Sequence, residues 1–412
     1  MTTETSSDII IIGAGPAGLF CACNAASAGE KVIILEKNVT PGKKLLLAGS
    51  GQCNITHDGP VREFLVHYGD HGRFIKPALM NFPNTALISF FKERGLDMMT
   101  TAAGKVFPST QKSTDVLQIL EQECRTLGVT LQYHQPVREV RHADGHFFVI
   151  TRDTTYCGNS LVIATGGMTY PGTGSTGDGY PIASSLGHTI ADPAPALAPV
   201  LADRFPFGEL AGISFDSLPF SLVREGKKIG SHNGDVLFTH QGLSGPGILD
   251  YSRFIQPGDT IRLSFVGPVS KEQFVKDFTD RIAAHPVSLV RTIVLQYKIP
   301  ERLVTTLLKL SGVAGDSTCA HLAKQERTNL ITSLLEFPVL VRDLGGLKEA
   351  MVTRGGVSLP EIDPKTMESR LVPGLYFVGE VIDIDGDTGG YNLQAAFSTG
   401  YLAAKAISTK VR

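Results

Sequence analysis

Four isoleucines in a row, Ile9 to Ile12, stand behind Asp8 and end at a glycine. A β-branched run with no polar alternation predicts a short strand buried on both faces. The alanine-rich stretch that follows runs to about Ala28 and stops at Gly29, the pattern of a helix. Lys31 to Leu35 is a second β-rich run, closed by Glu36. Ser113 to Leu127 carries Val116, Leu117, Leu120, Cys124 and Leu127 at helical spacing. Val137 to Val140 and His146 to Thr151 alternate apolar and polar residues around Asp144-Gly145, which predicts a hairpin. Ser160 to Gly167 reads SLVIATGG, another buried strand ending in glycine. Near the end, Leu375 to Val378 is a strand stopped by Gly379-Glu380, and a helix is predicted from about Gln394 to Ile407.

The middle of the chain has a different texture. Asp192-Pro-Ala-Pro-Ala-Leu-Ala-Pro is linker-like. From 197 to 268, short β-type runs are punctuated by Glu225-Gly226, Asn233-Gly234 and Pro257-Gly258, which predicts a small sheet or barrel. From 270 to 345 the pattern turns helical: Lys271 to Ala284, Leu289 to Tyr297, Glu301 to Leu310 and Cys319 to Leu335. His285-Pro286, Pro300 and Pro338 interrupt it. The expected organisation is a discontinuous domain of 1–191 and 354–412, an inserted β-rich domain of 192–268 and an inserted helical domain of 269–353.

Length agrees with this division, since 412 residues at roughly 150 per domain make two or three domains. The formal net charge is −2 with no long basic run, which argues against nucleic acid as the main partner. An uncharged and largely apolar stretch, Ile9 to Gly29, is broken by Gly13, Gly15, Pro16 and Gly18. It is preceded by Glu4 and Asp8 rather than by basic residues, so neither a membrane span nor a signal peptide is expected. Cysteines at 21, 23, 53, 124, 157 and 319 make no CxxC pair and no zinc spacing, and the expectation is a reduced, cytoplasmic chain.

Chemistry enters at Gly13-Ala14-Gly15-Pro16-Ala17-Gly18, a GxGxxG between the first strand and the first helix. Strand, glycine turn, helix, strand and acid, in that order, make a dinucleotide-binding unit. Gly13 permits the tight turn, Gly15 lets backbone approach a pyrophosphate, and Gly18 lets helix and strand pack closely. The helix N-terminus offers N–H groups to the phosphates. Glu36 lies 23 residues after Gly13 and can accept two hydrogen bonds from an adenosine ribose, which favours FAD or NAD over NADP.

Residues 41–56, PGKKLLLAGSGQCNIT, follow the second strand, where a simple NAD domain needs no glycine-rich loop. Such a loop suits a backbone running against a flat ring. Lys43 and Lys44 either face a phosphate or flavin anion or belong to a solvated loop. Cys53 reads as a small residue packed near a ring rather than as a redox centre. A second GxGxxG, Gly172, Gly174 and Gly177, is delayed by Tyr170-Pro171 and lacks an acid-ended strand at the right distance, so a separate nicotinamide site is not expected. Asp383, Asp385 and Asp387 alternate without the ligand pattern of an EF-hand, and no metal is expected. The N-terminus of the last helix can stabilise negative charge developing on a reduced flavin.

These segments resemble the BaiN-like (YhiN-type) flavoproteins, also described as aminoacetone-oxidase-family FAD-binding enzymes. The likeness rests on the GxGxxG, the 41–56 loop, KVFPSTQKSTDV, ATGGMTYPGTGSTGDGY, LFTHQGLSGPGIL, TRGGVSLPEI and the stretch from Thr366 to Gly400. The chain departs from the family pattern at Gln52 and His57, where Arg and Asn are expected. The resemblance implies an α/β fold: a Rossmann-like two-dinucleotide-binding flavoprotein domain with an inserted second lobe, part small β-barrel and part helical. It implies noncovalent FAD, with contacts at Gly13, Ala14, Gly15, Pro16, Ala17, Gly18, Glu36, Lys37, Lys43, Lys44, Ser50, Gly51, Cys53 and Asn54. Further contacts fall on Val137, Ala164, Thr165, Gly166, Gly379, Glu380, Asn392 and Leu393. The activity implied is an FAD-dependent oxidoreductase. The favoured chemistry is reduction of an unsaturated ketone-type small molecule, with NAD(P)H as a transient electron donor. Oxidation of a small amine such as aminoacetone is the alternative. A nucleic-acid modifier or a non-enzymatic flavin binder is the reading from another class. Tyr391, Tyr170 and His240 are the candidate proton donors.

Overall fold

A computed structural model describes residues 3–410. The chain divides into two compact units, 1–196 with 347–412, and 197–346.

In the first unit the isoleucine run forms the end of the strand Thr3–Ile12, and its four side chains are buried. This strand lies parallel to Val32–Leu35 on one side and Thr154–Ile163 on the other, and Thr130–Gln132 extends the sheet beyond Val32–Leu35. The strand Thr154–Ile163 has two partners on its far side. Its first half pairs antiparallel with His146–Ile150 of the hairpin, and Leu161, Val162 and Ile163 pair parallel with Leu375–Phe377. The C-terminal segment thereby enters the sheet beside the strand that ends at Ala164, which puts Gly379 and Glu380 at the same sheet end as the first glycine turn.

The first helix, Pro16–Ser27, and the last, Tyr391–Lys410, pack closely because their contact is built from small residues. A Cβ added to Gly400 would lie 2.5 Å from the Ala17 carbonyl oxygen. The last helix begins three residues earlier than its apolar pattern predicts, since Tyr391 is also buried. Phe20 anchors the core beside the first helix, with the rings of Phe82, Phe90 and Phe397 at 4.9, 4.9 and 5.2 Å.

The expected prolyl linker is a strand. Ile190–Ala196 pairs antiparallel with Val352–Val357, with a register shift between Ala191 and Ala194. Proline cannot donate to a ladder, and a short two-stranded ribbon with an irregularity tolerates it. This pairing keeps the chain in the first unit through 196.

The second unit is a closed six-stranded barrel, in the order Val200–Ala202, Gly242–Ser244, Lys227–Phe238, Ser214–Arg224, Thr260–Leu263 and Phe337–Leu344, which pairs back to Val200–Ala202. The sixth strand follows the helices in sequence. Helices such as Lys271–Ala284 and Glu301–Leu310 are therefore inserted between the fifth and sixth strands. Phe274, Phe278 and Leu303 share one apolar core with barrel residues Phe207, Phe238 and Phe337. The β-rich and helical parts form one folded body rather than two, because the barrel closes only with the strand beyond the helices.

Candidate cofactor site

The first glycine turn is built from backbone contacts. Gly13 has φ +105°, and a Cβ there would sit 2.5 Å from the Ala164 carbonyl oxygen. The Ala164 amide in turn donates to the Ile12 carbonyl at 2.9 Å. Gly15 is the N-cap of the first helix, has no side-chain cap, and would direct a Cβ into open space. An uncapped helix start with an unobstructed approach is what a pyrophosphate requires. These residues fit FAD: Gly13 to Gly18 would hold the pyrophosphate, and the Gly379 end of the C-terminal strand meets Ala17 beside it.

Glu36 is buried at the end of the second strand. Its Oε2 accepts from the Ala14 amide at 2.9 Å, and its Oε1 accepts from the Asn38 amide and side chain at 2.8 and 2.7 Å. A carboxylate has about four acceptor directions. Three are engaged within the chain, leaving one on Oε2 for a ribose hydroxyl, where the sequence suggested two such bonds. Gln135 N donates to the Glu36 carbonyl, and Val137 packs against the core just beyond.

Lys37 and Lys43 point to neighbouring protein groups. Lys37 Nζ donates to Thr176 Oγ1 and to Asp178, and Lys43 Nζ lies 3.3 Å from Asn38 Oδ1. The second glycine run lies against the first unit's acid-ended strand. Asn38 donates to the Thr173 carbonyl at 3.2 Å, and a Cβ on Gly174 would reach within 2.5 Å of the Asn38 side chain. The helix after it spans only Gly179–Ser185. The run therefore serves as a strap over the Glu36–Asn38 segment.

The 41–56 loop turns sharply, with Gly49, Ser50, Gly51 and Cys53 all at positive φ. Ser50 and Cys53 adopt this without being glycine, and strain of that kind gathers at ligand sites. Cys53 is fully buried, and burial pushes its thiol up to about 12. It stays protonated at neutral pH, as a packing residue should.

Lys44 and Glu380, 336 positions apart, form an ion pair with Nζ 2.8 and 2.7 Å from the two carboxylate oxygens. Lys44 also donates to Thr169 Oγ1 at 2.6 Å, and the Thr353 amide donates to Glu380 Oε1 at 2.9 Å. Thr353 Oγ1 accepts from Met168 N at 2.8 Å. This network joins the glycine loop, the 164–169 strand end, the returning strand and the C-terminal strand. Thr169 and Thr353 had no signal in the sequence, because their partners are distant along the chain.

At the last helix, Asn392 Oδ1 accepts from Gly386 N at 2.8 Å and its Nδ2 donates back to the Gly386 carbonyl at 2.8 Å, fixing the preceding loop. Leu393 packs at the edge of the core. Tyr391 is enclosed by aromatic rings and is only 4% exposed. Tyr170 has φ +53° and its amide donates to the Leu347 carbonyl at 3.0 Å. His240 is exposed on the barrel unit. The structure thus gathers Gly13 to Gly18, Glu36, Lys44, Ala164 to Gly166, Gly379 and Glu380 at one sheet end. Among the described residues no group of three or more His, Cys, Asp or Glu side chains is placed to hold a metal, and no helix is long and apolar enough to cross a membrane.

Comparison with known proteins bears on the same residues. The family described as HI0933-like protein Rossmann domain matches residues 7–406. The ribosomal RNA dihydrouridine synthase of Escherichia coli (strain K12) is 33% identical over 398 residues, 97% of this chain and 97% of that one. The 3-dehydro-bile acid delta(4,6)-reductase of Clostridium scindens is 30% identical over 408 residues, 97% of this chain and 98% of that one. Among solved structures, the 3-ketosteroid delta1-dehydrogenase of Sterolibacterium denitrificans superposes with a TM-score of 0.54 at 11% identity, covering 98% of this chain and 100% of that one. That last likeness is one of fold.

Proposed function

We propose, from the premise that the chain belongs to the HI0933-like Rossmann family, that it saturates a carbon–carbon double bond conjugated to a carbonyl in a six-membered ring. It is an FAD-dependent oxidoreductase. One observation carries the finer reading: two relatives matched over nearly their whole length carry names that describe this same bond change. Uridine becomes dihydrouridine by saturating the ring bond conjugated to a carbonyl, and a 3-oxo steroid reduced at Δ4 undergoes the equivalent change.

FAD supplies hydride chemistry when bound. The chain's own residues do the rest. The uncapped first helix binds the pyrophosphate, Glu36 orients the ribose through its remaining acceptor direction, and the Lys44–Glu380 pair holds four chain segments in register. The second glycine run packs on Asn38 rather than forming a second nucleotide unit. A dihydronicotinamide donor would therefore have to dock transiently on the flavin.

The preferred substrate is a small cyclic enone. The identity of 33% to the E. coli enzyme favours a second reading, a uridine in ribosomal RNA. The net charge of −2 speaks for the small molecule. The test is anaerobic. Holoenzyme is bleached with NADPH, NADH or aminoacetone in separate samples. A 3-oxo-Δ4 steroid or unmodified ribosomal RNA is then added to protein bleached by a nicotinamide. Recovery of the yellow oxidised spectrum with steroid supports the preferred reading, and recovery with RNA alone selects the second. Bleaching by aminoacetone without nicotinamide would instead identify an amine oxidase.

A further inference from the structure

Beside the last helix lies a group of aromatic and titratable side chains that neither the glycine motifs nor the ion-pair network uses. Tyr391 opens that helix with its ring between two imidazoles. The centroid of His57 lies 5.2 Å away and that of His67 4.0 Å away, with planes tilted 14° and 15° from the phenol. Phe64 meets the same ring edge-on at 5.1 Å, and the Tyr68 hydroxyl donates to the Tyr391 carbonyl at 2.8 Å.

The two histidines differ in what they can do. His57 sits between backbone carbonyls, with Nδ1 2.9 Å from Asp58 O and Nε2 3.0 Å from Ala103 O. His67 places Nδ1 3.0 Å from Asp387 Oδ2 on a side chain 35% exposed. Its Nε2 has no hydrogen bond to the described residues. A carboxylate on Nδ1 fixes the tautomer and orientation of an imidazole, leaving Nε2 as the working atom.

The dyad is rigid for identifiable reasons. Asp387 N donates to the His67 carbonyl at 2.9 Å, so the two residues clasp each other twice. Asn392 Nδ2 donates to the Gly386 carbonyl at 2.8 Å and lies 3.3 Å from the Asp387 carbonyl. Asn392 is itself one of the expected cofactor contacts. Other proton carriers at this end are otherwise engaged: Lys44 on Glu380 and Thr169, Cys53 as a buried thiol, Tyr391 inside its ring stack. His67 contacts Asp387 and the Tyr391 ring, Tyr391 in turn meets His57 and Tyr68, and Glu63, Asp70 and His71 lie on the same segment as His67.

We propose that His67 is the general acid of the reduction and Asp387 its positioning residue. This rests on the bond-saturating reading above. In the step, the carbon–carbon π bond breaks and a C–H bond forms at the β carbon. The hydride, with its electron pair, would be supplied by the reduced cofactor that the first glycine turn would hold, with a dihydronicotinamide as the source of those electrons. The enolate left on the substrate takes the Nε2 proton of His67 in its imidazolium form, which forms the C–H bond at the α carbon and leaves the imidazole neutral with its proton on Nδ1, facing Asp387. His67 then regains a proton from solvent.

The test uses full-length holoenzyme reduced anaerobically with NADPH and mixed with a 3-oxo-Δ4 steroid or with unmodified ribosomal RNA. His67→Gln is expected to keep the flavin content and the bleaching rate, and to slow flavin reoxidation about 10²- to 10⁴-fold, the usual range for a lost general acid. Added imidazole should partly rescue His67→Ala. Asp387→Asn should slow the same step with the substrate KM unchanged, and Asp387→Glu should restore part of it. Nitrogen NMR of the wild type should show neutral His67 protonated on Nδ1, a preference that Asp387→Asn removes. Reoxidation of His67→Gln at the wild-type rate, or a neutral wild-type His67 that carries its single proton on Nε2, overturns the assignment while the reductase reading stands. A wild type that saturates neither substrate overturns both.

Discussion

A Gly15→Val variant is expected to fold like its parent and carry almost no flavin. Gly15 has φ −79° and ψ −179°, extended backbone that valine adopts readily. A Cβ there meets nothing within 4 Å, so no protein atom must move. The helix has no side-chain cap to lose. Stability of the flavin-free protein should therefore change by about 1 kcal/mol or less, the cost of a poorer N-cap residue. The branched side chain would, however, occupy the approach to the first-turn N–H groups. Losing two charge-assisted hydrogen bonds at roughly 1.5 kcal/mol or more each weakens FAD binding about 10²-fold or more. Fluorescence titration with FAD and a thermal melt of the apoprotein check the two halves separately. Wild-type flavin content in this variant would rule out Gly15 as the pyrophosphate position.

Gly13→Ala should give the opposite signature. Its φ of +105° lies outside the left-handed region that L residues tolerate. The new Cβ would also lie 2.5 Å from the oxygen and 2.9 Å from the carbon of the Ala164 carbonyl. Both are backbone atoms at the end of a central strand, so the contact cannot be relieved by a rotamer change. Backbone strain of about 1–3 kcal/mol and overpacking of similar size sum to roughly 2–6 kcal/mol. At roughly 2–4 °C per kcal/mol for a unit of this size, Tm should fall by about 5–20 °C, with or without cofactor. A melt unchanged within two degrees would show that the turn is looser than its geometry implies. Two glycines in one motif thus separate into one that makes room for a ligand and one that makes room for the protein.

That difference was half legible in the residues alone. Strand, turn, helix and acid follow one another within 30 positions, so local pattern and local chemistry coincide from Ile9 to Glu36. The hairpin around Asp144-Gly145 was legible for the same reason. What pattern could not reveal depends on pairing across long separations. Pro193 and Pro195 argue for a linker until Val352–Val357 provides a partner strand. The helices after Ser270 look like a separate domain until Phe337–Leu344 returns to close the barrel. Lys43 and Lys44 were expected at a phosphate or flavin anion or in a solvated loop, and Lys44 pairs with Glu380 across 336 positions. His67 had no distinguishing neighbour in sequence, because its carboxylate lies 320 positions away. Asp387 was visible only as a member of an alternating acidic run. Its partner is an imidazole.

The most direct measurement is the amount of flavin in the purified wild-type chain. Acid precipitation should release one FAD per polypeptide into the supernatant, leaving none on the protein. A well-folded preparation that is colourless, and that binds no FAD after incubation with an excess, would contradict the assignment of the first glycine turn and of every residue placed around it.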